Sequence, residues 1–107
     1  MSKRLAFLEK LTGDGSTDPF AWYGLALEYR NLDRNEEALQ TFRALRAKNP
    51  DYVAMYLMCG QLLEMMGNKD DACEWLEAGI AVAKTKGDTH ALGELESARD
   101  ALSPGGF

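Results

Sequence analysis

Residues 18–50 read DPFAWYGLALEYRNLDRNEEALQTFRALRAKNP, and residues 51–87 follow the same pattern as DYVAMYLMCGQLLEMMGNKDDACEWLEAGIAVAKTKG. Seven positions correspond at a constant spacing of 34 residues, from Trp22 and Tyr56 to Pro50 and Lys84. A repeat of this length is typical of proteins built from stacked helical hairpins. The chain is therefore predicted to be all-α, with two helices in each repeat.

Glycine, proline and short capping residues divide the chain into six predicted helices. These helices cover about 2–11, 19–31, 36–48, 51–66, 69–85 and 89–102. Asp18 followed by Pro19 starts the second helix, because the carboxylate accepts from unpaired backbone N–H groups and proline has the φ of a first turn. Gly67 is predicted to cap the end of the fourth helix. Asp33 is expected in a left-handed turn, a conformation that aspartate tolerates better than most residues.

The pattern resembles that of the tetratricopeptide repeat family, W-x2-L-G-x2-Y followed by A-x3-F and P. The first repeat fits it with alanine in place of the glycine: Trp22, Leu25, Ala26, Tyr29, Ala38, Phe42 and Pro50. The second repeat departs from it at Tyr56, Cys59, Leu63 and Lys84. The whole chain is similar to small stand-alone bacterial proteins that have two such repeats between flanking helices. The resemblance implies an α-solenoid of antiparallel helix pairs.

The resemblance also implies a division of the chain. Residues 18–50 are expected to form repeat 1 and residues 51–87 repeat 2. A capping helix and its loop precede them in residues 1–17, a second capping helix follows in residues 88–103, and residues 104–107 are expected to be a flexible tail. Outer helices of this kind cover the two apolar ends that a pair of repeats would otherwise expose.

The first helix of each repeat carries two apolar stripes, more than one neighbouring helix can cover. One stripe is predicted to be buried: Trp22, Leu25, Ala26 and Tyr29 in the first repeat, and Tyr56, Cys59, Gly60 and Leu63 in the second. The resemblance assigns the other stripe to a concave groove that binds a partner protein or peptide: Phe20, Tyr23, Leu27, Arg30, Ala54, Leu57, Gln61 and Met65. The alternative is that the last helix or a second copy, in a weak homodimer, covers this stripe.

Gly79 lies in the middle of the fifth predicted helix. A glycine there costs about 1 kcal/mol relative to alanine, so a packing reason is worth seeking. The resemblance implies a small residue at this point because neighbouring helices approach closely. The alternative is that the glycine is simply tolerated.

The charge of the chain disfavours a nucleic-acid partner. The net charge is −5 at pH 7, and a phosphate backbone would be repelled by most of the surface. Residues 1–50 carry eight basic and seven acidic side chains (+1), whereas residues 51–107 carry four and ten (−6). The acidic half is interpreted either as a solvated helix surface or as one that steers a basic partner towards Glu64, Asp70, Asp71, Glu74 and Glu77.

No constellation of residues indicates catalysis, a metal or a cofactor. His90 is the single histidine, Cys59 and Cys73 are too far apart for a C-x-x-C motif, and no Gly-rich phosphate loop or G-x-S-x-G motif occurs. No apolar stretch reaches the length of a membrane span, and the short N-terminal apolar run ends at Glu9, so a cytoplasmic protein is expected. The sequence therefore predicts a non-catalytic protein-interaction module or scaffold.

Overall fold

The computed structural model describes residues 2–102, which form six α-helices and contain no strand. The helices are α1 (Lys3–Gly13), α2 (Pro19–Asn31), α3 (Asn35–Lys48), α4 (Ala54–Met65), α5 (Lys69–Lys86) and α6 (Thr89–Leu102). The all-α prediction and the number of helices are confirmed. The chain forms two compact units, Met1–Pro50 with α1 to α3 and Asp51–Phe107 with α4 to α6. The predicted tail, residues 104–107, lies outside the described residues.

Local capping signals mark the starts of α2 and α5 and the end of α4. The Asp18 carboxylate accepts from the backbone N–H of Phe20 at 3.0 Å, with Pro19 in the first turn of α2. The Asn68 side chain accepts from the N–H of Asp71 at 3.2 Å and begins α5. Gly67 has φ 84° immediately after α4, as predicted, because only glycine adopts this left-handed conformation without steric cost.

The start of α4 differs from its prediction. The helix begins at Ala54 rather than at residue 51. Before it, Met55 donates to the Tyr52 carbonyl and Tyr56 to the Val53 carbonyl, which are bonds of a tight turn rather than of an α-helix. The repeat period predicts the helix correctly but not the turn that precedes it.

Asp33 is the one non-glycine residue among residues 2–102 with positive φ, at 60°, which confirms the predicted left-handed turn between α2 and α3. The Asp33 side chain is exposed, and α3 has no side-chain cap, so the carboxylate does not compensate for this backbone conformation. We expect Asp33→Gly to leave the free energy of unfolding unchanged or to raise it by up to about 1 kcal/mol, since glycine has no Cβ to clash there. Urea denaturation measures this change, and a loss of more than about 1 kcal/mol would contradict it.

The unit of α1 to α3 has an apolar contact between α1 and α2 and an aromatic contact between α2 and α3. Leu5 and Leu8 pack with Leu25 and the partly buried Tyr29. The rings of Tyr23 and Phe42 meet edge to face with their centroids 6.5 Å apart. Edge-to-face packing of this kind adds to the free energy of burial.

Two residues of the predicted buried stripe in α2 are only half-buried. Leu25 and Ala26 are buried, but Trp22 and Tyr29 are not, and Ala21 and Gly24 are buried in addition. The Trp22 indole N–H donates to the Ser16 carbonyl at 2.9 Å, and the Lys48 ammonium lies 4.6 Å from the ring centroid. The prediction that Trp22 is buried is therefore wrong in degree, because the half-buried ring also makes polar contacts at the surface.

Tyr29 carries the pH-dependent contact between α1 and α2. Its hydroxyl donates to the Glu9 carboxylate at 2.6 Å, and the Arg34 guanidinium lies 4.9 Å from its ring centroid. Burial, together with the bond to Glu9, raises the pKa of Tyr29 from 10.0 to about 12. Because the folded-state pKa is the higher one, the contribution to stability is complete below about pH 10 and is lost as pH rises towards 12.

We expect Tyr29 to ionise only near pH 12, and we expect the absorbance change at that pH to be smaller in Tyr29→Phe. Glu9→Gln should move the ionisation of Tyr29 to lower pH without restoring the ordinary value, because burial persists. Ultraviolet difference absorbance during alkaline titration measures both effects. Unchanged titration in Tyr29→Phe would assign the late step to another tyrosine.

The unit of α4 to α6 is held by close helix contacts. A Cβ at Gly60 would lie 2.7 Å from Leu76, and a Cβ at Gly79 would lie 2.5 Å from the Cβ of Tyr56. The Tyr56 and Trp75 rings pack at 5.8 Å between centroids. These distances confirm that Gly79 has a packing role, because no larger side chain fits between α5 and α4. All four residues of the predicted inner stripe of α4 are buried: Tyr56, Cys59, Gly60 and Leu63.

Candidate partner-binding groove

The unit of α4 to α6 contains an open groove between α4 and α6. Its volume is about 740 Å³. Two residues of α4 and six of α6 line it: Leu57, Gln61, Thr89, His90, Gly93, Glu94, Ser97 and Ala98. We call this surface the α4–α6 groove.

The packing of α4 decides which of its side chains reach this groove. Tyr56, Cys59, Gly60 and Leu63 are buried on one side, so Leu57 and Gln61, one turn apart, face away from them. Leu57 is half-buried and Gln61 is exposed. Met65 continues the row by one further turn and is 62% exposed. Met65 and part of Leu57 therefore present apolar surface that the unit itself does not cover.

The α6 wall contains the small residues Gly93, Ser97 and Ala98 beside larger polar ones. Leu95 and Leu102 are buried on one side of α6, while Gly93 and Ser97 are exposed on the other. A Cβ at Gly93 would have nothing within 4 Å. The groove therefore has room for bulky side chains of a ligand, and such side chains would approach the α6 backbone closely.

The groove lies on the acidic unit. His90 Nε2 and Glu94 Oε1 are 3.3 Å apart at the groove surface. Of the basic residues nearby, Arg99 bonds to Glu77 and Asp100, and Lys86 donates to the Asp51 carbonyl at 3.0 Å. Since residues 51–107 carry ten acidic and four basic side chains, the electrostatic field around the groove favours a basic ligand.

The eight predicted groove residues are divided between the two units. Leu57 and Gln61 line the α4–α6 groove, with the exposed Met65 beyond them and Ala54 exposed at the start of α4. The other four lie on α2: Phe20, Tyr23, Leu27 and Arg30. Phe20 is 68% exposed, and Leu27 and Arg30 are half-buried.

Tyr23 was predicted to face a partner, but it also packs inside its own unit. Its half-buried ring packs on Phe42, which is completely buried, so this side chain also contributes to the packing of α2 on α3. Substitution of Tyr23 would therefore change stability as well as any binding surface.

Sequence reasoning missed the contribution of α6. It treated this helix as a cap, and no α6 residue was among the predicted groove residues. The available signal is the spacing of Gly93 and Ser97, one turn apart and on a different side from Leu95. That signal is weak, because small residues on a helix surface are ordinary and only the neighbouring α4 makes a groove beside them.

Within residues 2–102, no group of three or more His, Cys, Asp or Glu side chains is placed to hold a metal ion. Neither Cys59 nor Cys73 forms a disulfide. None of the described helices combines the length and apolar character that crossing a membrane requires.

Comparison with known proteins places the fold. The sequence model of the tetratricopeptide repeat family matches residues 29–88. No curated protein gave a significant match. Tetratricopeptide repeats generally mediate protein–protein interaction, through the extended surfaces that stacked helix pairs create.

Three solved structures resemble the chain. A crystal structure of a tetratricopeptide repeat domain protein from Salinibacter ruber is 37% identical, covers 81% of this chain and 98% of its own, and has a TM-score of 0.77. A solution structure of such a protein from the same organism is also 37% identical, covers 80% and 87%, and has the same TM-score, 0.77. A Bordetella parapertussis protein, 24% identical over 96% and 90% of the two chains, has a TM-score of 0.81 and shows the shared fold.

Proposed function

This chain belongs to the tetratricopeptide repeat family, and on that premise we propose that it is a non-catalytic interaction module that binds a peptide or helix in the α4–α6 groove. Members of the family are typically interaction modules without catalytic activity. In this proposal, α4 of the second repeat and the flanking helix α6 together form the binding surface.

One observation carries the proposal. Leu57 offers apolar surface on one wall, and Gly93 leaves open space on the other. An amphipathic helix or an extended peptide inserts apolar side chains into a groove of this kind and leaves its polar side in water. The exposed Met65 extends the apolar wall, and methionine adapts to ligands of different shape.

The α2 residues of the predicted groove are proposed as a second contact region. The exposed Phe20 supports this, since large exposed aromatic side chains are enriched at protein interfaces. Leu27 and Arg30 are accessible in part. Tyr23 is the member whose role is shared with packing on Phe42.

Gly93→Arg tests the groove. The side chain has space at this position and arginine is a better helix former than glycine, so the variant should fold with equal or slightly higher stability. When the chain is immobilised and exposed to a cell extract, the variant should nevertheless fail to bind the proteins that the wild type binds. The new side chain fills the groove, and its positive charge repels a basic ligand. Retention of proteins from an extract of the source cells on the immobilised chain, identified by mass spectrometry, measures this.

Ala81→Arg is the matched control. Ala81 is exposed on α5 and does not line the groove, so this variant adds the same side chain and the same charge elsewhere. It should retain what the wild type retains. Equal retention by Gly93→Arg and the wild type would remove the groove from consideration as the binding surface.

A further inference from the structure

The lining of the α4–α6 groove defines the chemistry of its occupant. Small α6 residues leave room for a bulky apolar side chain, and the excess of acidic residues in this unit favours positive charge beside that side chain. A helix with an aromatic or leucine side chain flanked by lysine or arginine meets both requirements.

The chain itself contains such a surface, on α1. Leu5 and Leu8 are buried against α2, whereas Phe7 and Leu11, one turn apart on another face of α1, are 64% and 37% exposed. Lys3 and Lys10 are exposed on the same face as Phe7, and the Lys10 ammonium lies 3.2 Å from the carboxylate of Asp14. We call these four residues the outer face of α1. Residues 1–14 carry three basic and two acidic side chains, a net charge of +1.

We propose that the α4–α6 groove of one copy receives the outer face of α1 from a second copy of this chain. This inference rests on the proposed function and names the occupant of its groove. Phe7 supplies the bulky apolar group that the space over Gly93 accommodates, and Leu11 extends the apolar contact along Leu57. Lys3 and Lys10 approach the unit that carries six more negative than positive charges.

The two surfaces in this contact are different from each other. Each copy carries one outer face of α1 and one groove, so the contact is heterologous and a chain bound at its groove still has its own α1 to offer. The interface is small and partly electrostatic, and we expect it to be weak and to weaken further with added salt.

Two single variants test the inference with the full chain. Phe7→Glu replaces the central apolar side chain of α1 with a charge that the acidic unit repels, and it leaves the groove intact. Gly93→Arg blocks the groove and leaves α1 intact. Sedimentation equilibrium from about 10 µM to about 1 mM, the range of weak contacts, measures the average mass.

The wild type should show an average mass that rises with concentration above the 11.9 kDa of one chain, and each variant alone should stay at that mass. An equimolar mixture of the two variants should contain a species of two chains, because the α1 of Gly93→Arg fits the groove of Phe7→Glu. If instead the same surface of both copies formed the contact, mixing the two variants would not restore association.

Two control variants carry the same charge changes outside both surfaces. Gln40→Glu on the exposed side of α3 matches Phe7→Glu, and Ala81→Arg matches Gly93→Arg. Both should associate as the wild type does. Circular dichroism of all variants should show wild-type helicity, which separates lost association from lost folding.

A wild type that stays at the mass of one chain up to about 1 mM would overturn the inference, as would a mixture of the two variants that does not associate. Either result leaves the proposed function standing if Gly93→Arg still loses retained proteins. Phe7→Glu further distinguishes self-association from the proposed binding function. This variant should no longer self-associate, while its groove remains open to other ligands.

Discussion

Tyr56→Ala is expected to lower the free energy of unfolding by about 3–5 kcal/mol, the typical cost of removing a buried aromatic side chain. Tyr56 is 2% exposed, its ring packs on Trp75, and its Cβ faces the space over Gly79. Since small domains have about 5–15 kcal/mol of total stability, the variant should unfold at markedly lower urea concentration.

Trp22→Ala is the comparison for this prediction, since Trp22 precedes Tyr56 by 34 residues and holds the same repeat position. Trp22 is half-buried and bonds to Ser16 at the surface, so we expect a smaller loss of about 1–3 kcal/mol. Urea denaturation followed by circular dichroism measures both variants. If Trp22→Ala proved the more destabilising of the two, the burial difference between the repeats would not control stability.

Gly79→Ala is expected to destabilise the protein by about 1–3 kcal/mol, as overpacking of a core typically does. The added Cβ would lie 2.5 Å from the Cβ of Tyr56 and 3.0 Å from Leu95, so α5 must move away from both neighbours. This cost exceeds the gain of about 1 kcal/mol in helix propensity that alanine brings.

Gly93→Ala is the same substitution as Gly79→Ala, but we expect it to raise stability rather than lower it. Its Cβ would have no neighbour within 4 Å, so we expect the full gain in helix propensity, up to about 1 kcal/mol, and a higher melting temperature. Thermal denaturation of the two alanine variants should therefore move in opposite directions. Equal effects at the two sites would mean that helix propensity alone determines the outcome.

Local sequence signals predicted the start of α2, the end of α4 and the turn between α2 and α3. Asp18 with Pro19, Gly67 and Asp33 act through the backbone conformation of a few neighbouring residues, so no knowledge of the remaining structure is needed. The 34-residue period likewise predicted the buried stripe of α4 from Tyr56 to Leu63, because helical spacing puts these residues on one face.

The burial of several other residues required the tertiary structure. Met55 and Leu62 are buried, although neither predicted stripe of α4 contained them. The helical period assigns each side chain to a direction around its helix, but it does not specify how many neighbours cover that direction. For the same reason Trp22 and Tyr56, at one repeat position, differ in exposure.

The candidate groove was likewise predictable from the sequence only in part. The period placed Leu57 and Gln61 together on a face of α4 away from the buried stripe, and both line the groove. Which helix forms the opposite wall depends on the packing of α6 beside α4, between residues that are more than 30 positions apart in sequence, such as Leu57 and Gly93. Contacts over such distances arise from how whole helices pack, whereas stripes, caps and turns depend on residues within one or two helical turns.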